Sequence, residues 1–175
     1  TASSADSSGV AREFLTSPGG NTTRRKWRRP LATLATVVGL FALLGSTTGC
    51  ESTSADRSQV IRLVNQSRAT AGLRPLKENF KLDFKADKWA QHLRDVCNLS
   101  HSRLDDGAPD EWLKLGENVG YGGSIEIVHD AYLNSPGHRA NIMDPAYTSM
   151  GAAAVWGTCP DGSNRVFTVQ EFMKS

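Results

Sequence analysis

A length of 175 residues suits one folded domain with flanking segments and leaves too little chain for two globular domains. The composition, 39% hydrophobic and 22% charged with 16 glycines, excludes a coiled coil and a wholly disordered chain. Residues 1–49 carry six Arg or Lys and two Asp or Glu, so without them the formal charge falls from +2 to −2. The near-neutral remainder argues against a nucleic-acid partner, because binding the phosphate backbone requires a basic surface.

The first fifty residues have the layout of an export signal. Residues 1–23 are rich in Ser, Thr, Gly and Ala and are predicted to be a disordered leader. A cationic block at 24–29 precedes an apolar run at 31–44, which is short for a membrane-spanning helix of about twenty residues and typical of a signal peptide. Residues 24–50 are therefore predicted to be a signal peptide; the alternative is an uncleaved anchor.

The apolar run ends in small residues that resemble a lipobox, Gly45 to Cys50. The lipobox predicts that Cys50 is acylated and becomes the N-terminus, although lipoboxes favour Leu where Thr47 stands. Two or three acyl chains would anchor the protein durably on the extracytoplasmic face of a membrane. The predicted partner of Cys50 is thus membrane lipid, and the localisation is membrane-anchored or secreted.

The folded part begins with two predicted helices. Residues 51–57 read as a polar tether, and an apolar pattern at three- and four-residue intervals then predicts a helix from Ser58, as N-cap, to Gly72. A second helix is predicted from Leu82 to Cys97, with an apolar stripe on one side and Lys85 among the polar residues opposite.

The second half of the chain predicts one more helix followed by two strands. Turn residues mark 102–111 as a surface loop, and a third helix is predicted at 124–134. Residues 150–156 and 165–173 have the pattern of strands and are predicted to pair as a hairpin. Helices early and strands late predict an α+β layered domain over 58–175.

Three cysteines are compatible with export. If Cys50 is acylated, Cys97 and Cys159 remain as a pair for a disulfide in an oxidising compartment. The alternative is two buried free thiols. No spacing typical of a zinc finger occurs.

Four segments in order resemble one known extracellular family. They are Leu63-Val64-Asn65-Gln66-Ser67-Arg68 with Gly72-Leu73, Leu99-Ser100-His101, Gly116-Glu117-Asn118-Val119, and the run from Leu133 through Ser135-Pro136-Gly137-His138-Arg139 to Ile142. Together they resemble the bacterial branch of the CAP superfamily, named for cysteine-rich secretory proteins, antigen 5 and plant pathogenesis-related proteins. The closing Val169-Gln170-Glu171-Phe172 is similar to that family's last strand.

The resemblance implies a three-layer α-β-α sandwich with a cleft in which His and acidic side chains converge. Carried over by position, the cleft residues are His101, Glu117 and His138. A further acidic residue of the family has no clear counterpart here, and Asp130 is a doubtful substitute.

The chemistry of the three cleft residues leaves two interpretations open. Neutral imidazoles of His101 and His138 could bind a divalent metal such as zinc, with Glu117 as ligand, orienting residue or base. Alternatively the cluster is structural: His101 caps the second helix, or His138 forms a hydrogen bond across its turn.

Three functions are compatible with the sequence. The first is a non-enzymatic extracellular binding module for a small apolar or envelope ligand, without an assigned catalytic residue. The second is a metal-dependent hydrolase, although the sequence has neither an HExxH helix nor a GxSxG elbow. The third is a structural or assembly factor of the cell envelope.

Overall fold

The computed structural model of the protein describes residues 52–175. The leader, the signal peptide and Cys50 lie outside the described residues, so those predictions stay predictions. Within 52–175, no helix has both the length and the apolar character needed to cross a bilayer.

Four helices and four strands make up the described domain. In chain order they are α1 Ser54–Thr70, β1 Lys77–Glu78, α2 Phe80–Val96, β2 Lys114–Gly122, α3 Ile125–Asn134, α4 Pro136–Met143, β3 Ser149–Thr158 and β4 Asn164–Lys174.

The strands form one mixed sheet in the order β1-β3-β4-β2. The predicted hairpin is confirmed, because β3 and β4 pair antiparallel along their full length. Strand β2 pairs antiparallel with β4 and lies at one edge, while β1 pairs parallel with β3. The register places Glu117 of β2 opposite Glu171 of β4.

Two apolar cores, one on each face of the sheet, confirm the three-layer sandwich. The core between the sheet and helices α1, α3 and α4 includes Val64, Tyr132 and Phe172. The core between the sheet and α2 includes Leu93 and Phe167. Because side chains alternate along a strand, each long strand contributes to both cores.

Helix α1 begins earlier than the sequence pattern predicts. Its N-cap is Thr53, whose Oγ1 accepts a hydrogen bond from the Asp56 N–H, so Ser58 as N-cap is wrong. The segment read as a polar tether is helical from Ser54 onward. The pattern missed this turn because it is polar and exposed, and capping satisfies its backbone without apolar contacts.

The turn after α3 starts a new helix. Helix α3 ends at Asn134, as predicted, but the Ser135-Pro136 pair continues directly into α4. Pro136 suits the first position of a helix, where the missing N–H would have no intrahelical partner. This change of axis carries His138 on α4 rather than in a loop.

The disulfide between Cys97 and Cys159 is confirmed, with Cα atoms 5.7 Å apart. It joins the C-cap of α2 to the residue that follows β3. The covalent bond therefore ties the α2 layer to the sheet.

Candidate functional site

The site contains a hydrogen-bonded pair formed by His101 and Glu117. His101 lies in the segment after α2, and its Nδ1 is 2.7 Å from Glu117 Oε1. The same carboxylate oxygen accepts a hydrogen bond from the Ser102 N–H at 3.0 Å. Glu117 is fully buried, while the His101 side chain is 61% exposed. Because the carboxylate accepts, Nδ1 of His101 carries the proton of this bond, and among the described residues the Nε2 atom has no hydrogen-bond partner.

Two further charged residues extend this pair into the interior. Lys85 Nζ on α2 is 2.5 Å from Glu171 Oε1 and 2.5 Å from Ser102 Oγ. It also lies 3.9 Å from Glu117 Oε2. The side chains of Lys85, Glu117 and Glu171 are all at most 5% exposed. One ammonium therefore faces two buried carboxylates, and the expectation that Lys85 lies on the polar side of α2 is wrong.

Excess negative charge in this cluster favours a bound proton. Burial raises the pKa of Glu171 to about 8, against an opposing effect of Lys85, and the Glu117 carboxylate raises it further. The physical cause is that two adjacent buried carboxylates with one counter-ion cannot both ionise at low cost. The folded protein thus disfavours the ionised form of Glu171 relative to an exposed carboxyl.

His138 approaches the edge strand β2 from the other side of the sheet. Its Nδ1 is 3.0 Å from Ser135 Oγ, which confirms the predicted hydrogen bond across the turn. Its ring packs against Tyr132, with ring centroids 4.9 Å apart. Burial lowers the pKa of His138, and a positive charge on His101 lowers it further. His138 is therefore neutral at pH 7, and the two imidazoles lie within electrostatic range of each other.

A buried amide network holds α4 against β2. Asn118 Nδ2 donates to the His138 carbonyl at 3.1 Å and to Gln170 Oε1 at 3.0 Å. Asn141 Nδ2 donates to Asn118 Oδ1 and to the Glu117 carbonyl. These bonds satisfy both amide side chains within the protein, and they fix the backbone of His138 beside the strand that carries Glu117.

The remaining sequence candidates lie apart from the cleft. Asp130 is exposed and acts electrostatically on the neighbouring His129. His129 is buried and bonded to Ser67 Oγ at 2.8 Å, which makes it a packing residue between α3 and α1. His101 follows the C-cap of α2, Cys97, by four residues, so it is not the cap of that helix.

A cavity of about 450 Å³ lies beside His101, between α2 and the 101–107 loop. Its wall combines apolar and cationic side chains, among them Phe84, Lys88, Trp89 and Arg103. Trp89 is held in place because its Nε1–H donates to the Ser100 carbonyl at 2.9 Å. The cavity therefore offers aromatic surface and positive charge next to the free Nε2 of His101.

The donor set of the cleft falls short of a catalytic metal site. Among residues 52–175, no group of three or more His, Cys, Asp or Glu side chains is arranged to hold a metal ion. Both Nδ1 atoms are engaged, and Glu117 is committed to His101 and Ser102. The residues that would hold zinc are therefore His101 and His138 through Nε2, one ligand fewer than catalytic zinc sites have.

Sequence reasoning missed Lys85 and Glu171. Lys85 stands next to the apolar stripe of α2. A long side chain at such a position can turn towards the protein interior when a buried carboxylate lies within its reach. Glu171 is the one charged residue between Val166 and Met173, within a predicted strand, and this was the available signal. The contact between Lys85 and Glu171 became visible only with the packing of α2 on the sheet, and the β2–β4 register adds Glu117 opposite Glu171.

Comparisons with known proteins agree with the fold and the motifs. The model of the CAP family, described as the cysteine-rich secretory protein family, matches residues 61–172. A relative from Bacillus subtilis, the uncharacterized protein YkwD, is 32% identical over 119 residues, which are 63% of this chain and 46% of the relative. The chain thus spans about half the length of the curated relative that it matches.

Solved structures from other bacteria and from an animal parasite share the fold. An outer surface protein from Borrelia burgdorferi superposes with a TM-score of 0.60 at 19% identity, over 70% of this chain and 94% of that one. An extracellular protein with an SCP domain from Bacillus anthracis gives 0.57 at 22% identity, over 69% and 41%. A venom allergen-like protein from Schistosoma mansoni gives 0.56 at 13% identity, over 70% and 90%.

Proposed function

Because the chain belongs to the cysteine-rich secretory protein (CAP) family, we propose that it is an exported, membrane-anchored binding module whose cleft uses His101 and His138 to hold a small ligand. Acylated Cys50 is the proposed anchor, on the extracytoplasmic face of the membrane. The similar proteins from Borrelia burgdorferi and Bacillus anthracis, an outer surface protein and an extracellular protein, support that side of the membrane.

The observation that carries the proposal is the buried Glu117, which accepts from His101 Nδ1 at 2.7 Å. A carboxylate behind an imidazole fixes the tautomer and the ring orientation, as it does behind histidines that bind metals or ligands. His138 has its own Nδ1 engaged by Ser135. Two imidazoles whose Nδ1 atoms are engaged and whose Nε2 atoms are free suit a divalent cation, or a polar group of an envelope component.

Binding fits this cleft better than hydrolysis. A zinc hydrolase needs an ion held by three protein ligands with a fourth position open for water. The cleft offers two imidazole nitrogens, because the oxygens of Glu117 face His101, Ser102 and Lys85. When bound, a zinc ion would supply a Lewis-acidic contact for an anionic or carbonyl group of the ligand.

Calorimetric titration of the purified protein with zinc tests the proposal. We expect binding heat in the wild type, and His138→Ala should weaken the affinity at least about tenfold because one of two donors is lost. His92→Ala is the matched control, since His92 is an exposed histidine elsewhere on α2 and should leave the titration unchanged.

The pH dependence of that titration supplies a second criterion. Zinc binds the neutral imidazole, so affinity should fall as the pH drops below about 6 and the rings become protonated. Absence of binding heat in the wild type, or equal loss in the His92 and His138 variants, would contradict the proposed use of the two cleft histidines.

A further inference from the structure

The first described residue, Ser52, is fixed against α2 and the sheet. Its N–H donates to Asp87 Oδ1 at 2.8 Å, and its Oγ accepts from the Ala154 N–H at 3.0 Å. Ser52 is nearly buried, at 9% exposure. Because Asp87 lies in the middle of α2, the point where the chain enters the domain is set beside that helix.

Only one residue, Glu51, stands between this point and Cys50 in the sequence. A fully extended chain spans about 3.6 Å per residue, so Cys50 lies within roughly 7 Å of Ser52 whatever its conformation. This step rests on the proposed acylation of Cys50. Lipid chains on Cys50 would hold the membrane surface close to the middle of α2 and leave little freedom for the domain to turn away.

The outer face of α2 carries side chains that suit a position next to a membrane surface. Phe80 is 82% exposed and Phe84 is 62% exposed, and they lie one turn apart on the same face. Lys88 continues the stripe, with Nζ 4.4 Å from the centroid of the Phe84 ring. Exposed aromatic rings flanked by lysines are typical of surfaces that lie at the level of lipid headgroups.

The charges around this stripe favour anionic lipid. Across residues 52–175, Lys81 and Lys88 take part in no salt bridge. Two acidic residues of α2 are engaged by the protein: Asp87 accepts from Ser52 and Gln91, and Asp95 pairs with Arg94. The lysines thus remain available to headgroup phosphates, each contributing about 1 kcal/mol near an anionic surface.

We propose that the outer face of α2, defined by Phe80, Lys81, Phe84 and Lys88, lies on a bilayer that contains anionic lipid. The acyl chains on Cys50 tether the domain, and this face orients it. Phe84 and Lys88 also line the cavity beside His101, so the proposed orientation places the mouth of the cleft next to the headgroups.

Photo-crosslinking of the membrane-extracted protein tests the orientation. The protein is reconstituted in vesicles of phosphatidylcholine with a minority of phosphatidylglycerol and a trace of a phospholipid carrying a diazirine near the headgroup. After irradiation and trypsin digestion, mass spectrometry measures the lipid adduct on each peptide and, in the same sample, the acylation of Cys50. We expect adducts on the peptides 78–81 and 82–85, several-fold above those on 104–114, and fewer in vesicles without phosphatidylglycerol.

Phe84→Ser and Leu113→Ser form a matched pair, because Leu113 is a similarly exposed apolar residue before β2, at 69% exposure. The first should lower the adduct on residues 78–85 several-fold and the second should not, while thermal unfolding confirms that both variants are folded. Adducts spread evenly over the exposed apolar residues, or concentrated away from α2 on an acylated protein, would overturn the orientation alone. An unmodified Cys50 would remove the anchor, and with it this orientation, while the zinc titration of the cleft would stand by itself.

Discussion

The ammonium of Lys85 stabilises two carboxylates that face each other across β2 and β4. Its Nζ touches Glu171 at 2.5 Å and lies 3.9 Å from Glu117. Removing one partner of a buried ionic cluster leaves an uncompensated charge. The resulting loss of folding free energy is larger than the stabilisation that an exposed ion pair contributes. The cluster lies behind His101, so its integrity fixes the ring that the cleft presents.

Lys85→Met should therefore lower the free energy of unfolding by about 3 kcal/mol at pH 8. The loss should be smaller at pH 5, where a carboxylate of the pair can take up a proton. Urea unfolding followed by circular dichroism measures both values. Lys88→Met is the matched control, because Lys88 is exposed on the same helix and should change stability little. Equal effects of the two variants would contradict a buried role for Lys85.

The raised pKa of Glu171 gives the stability a definite pH dependence. Its carboxyl binds a proton more tightly in the folded state, with pKa about 8, than in the unfolded chain, with an ordinary value of 4.5. The contribution of this group is fully present below about pH 4.5 and is lost as the pH rises through about 8.

Glu171→Gln replaces the protonated carboxyl by a neutral amide of the same shape. We expect the variant to show a flatter profile of unfolding free energy between pH 5 and 8 than the wild type. In the wild type, the Glu171 contribution should fall with rising pH by at most about 1.4 kcal/mol per unit. A set of urea unfolding curves across this range measures it. A wild-type profile as steep in the variant would show that another group carries the dependence.

At the scale of elements, α2 packs against β3 at a contact that only glycine allows. A Cβ on Gly151 would overlap the main chain of α2 at Leu82 and Asp83. Next to it, the Ala152 N–H donates to Asp83 Oδ1 at 3.0 Å, which links the two elements directly. This close approach positions α2, and with it Lys85, over the carboxylates.

Gly151→Ala should destabilise the domain by at least about 3 kcal/mol, because neither backbone can move away without losing core contacts. Gly137→Ala is the matched control: a Cβ there meets nothing within 4 Å, and alanine favours a helix. Thermal unfolding compares the two. If Gly151→Ala unfolds at the wild-type temperature, the packing of α2 on β3 is looser than the structure has it.

Elements with a strong apolar period could be predicted from the sequence, and elements defined by their partners could not. The apolar stripe of α2 predicted the position of that helix in the sequence. The β3–β4 hairpin was predicted from the alternation of apolar and polar residues and from the turn residues between the strands. Strand β2 was missed because its buried residues form hydrogen bonds and charge pairs as much as apolar contacts. The short α4 was missed because Pro136 reads equally as the end of one helix and the start of the next.

The residues of the candidate site also fall into a group that the sequence predicted and a group that it did not. His101, Glu117 and His138 were found through the order of motifs, and the structure brings His101 and Glu117 into direct contact. The ion pair of Lys85 with Glu171 could not be predicted, because it depends on how α2 packs against β4. Sequence spacing carries no information on that packing.

At the scale of the whole molecule, one disulfide closes a long loop. Cys97 and Cys159 are 62 residues apart in sequence, and their bond joins α2 to the end of β3. On the chain-entropy model, closing a loop of this size contributes about 4 kcal/mol by restricting the unfolded chain. Both cysteines lie within the family match, so the bond belongs to the domain itself.

The double variant Cys97→Ser, Cys159→Ser should therefore unfold about 4 kcal/mol more easily. Reduction of the wild type with a thiol should reproduce most of that loss, whereas reduction should not change the double variant. Urea unfolding with and without reductant makes the comparison. A wild type insensitive to reduction would mean that the cross-link contributes little to the stability of this domain.

We propose that Glu117 holds His101, beside His138, with the Nε2 atom free for a ligand. The most direct test is nitrogen NMR of the histidine rings during a zinc titration near pH 7.5. We expect the free protein to show His101 with the proton on Nδ1, and zinc to shift the Nε2 signals of His101 and His138 while those of His92 and His129 stay in place. A proton on Nε2 of His101, or four histidines that ignore zinc, would contradict the claim.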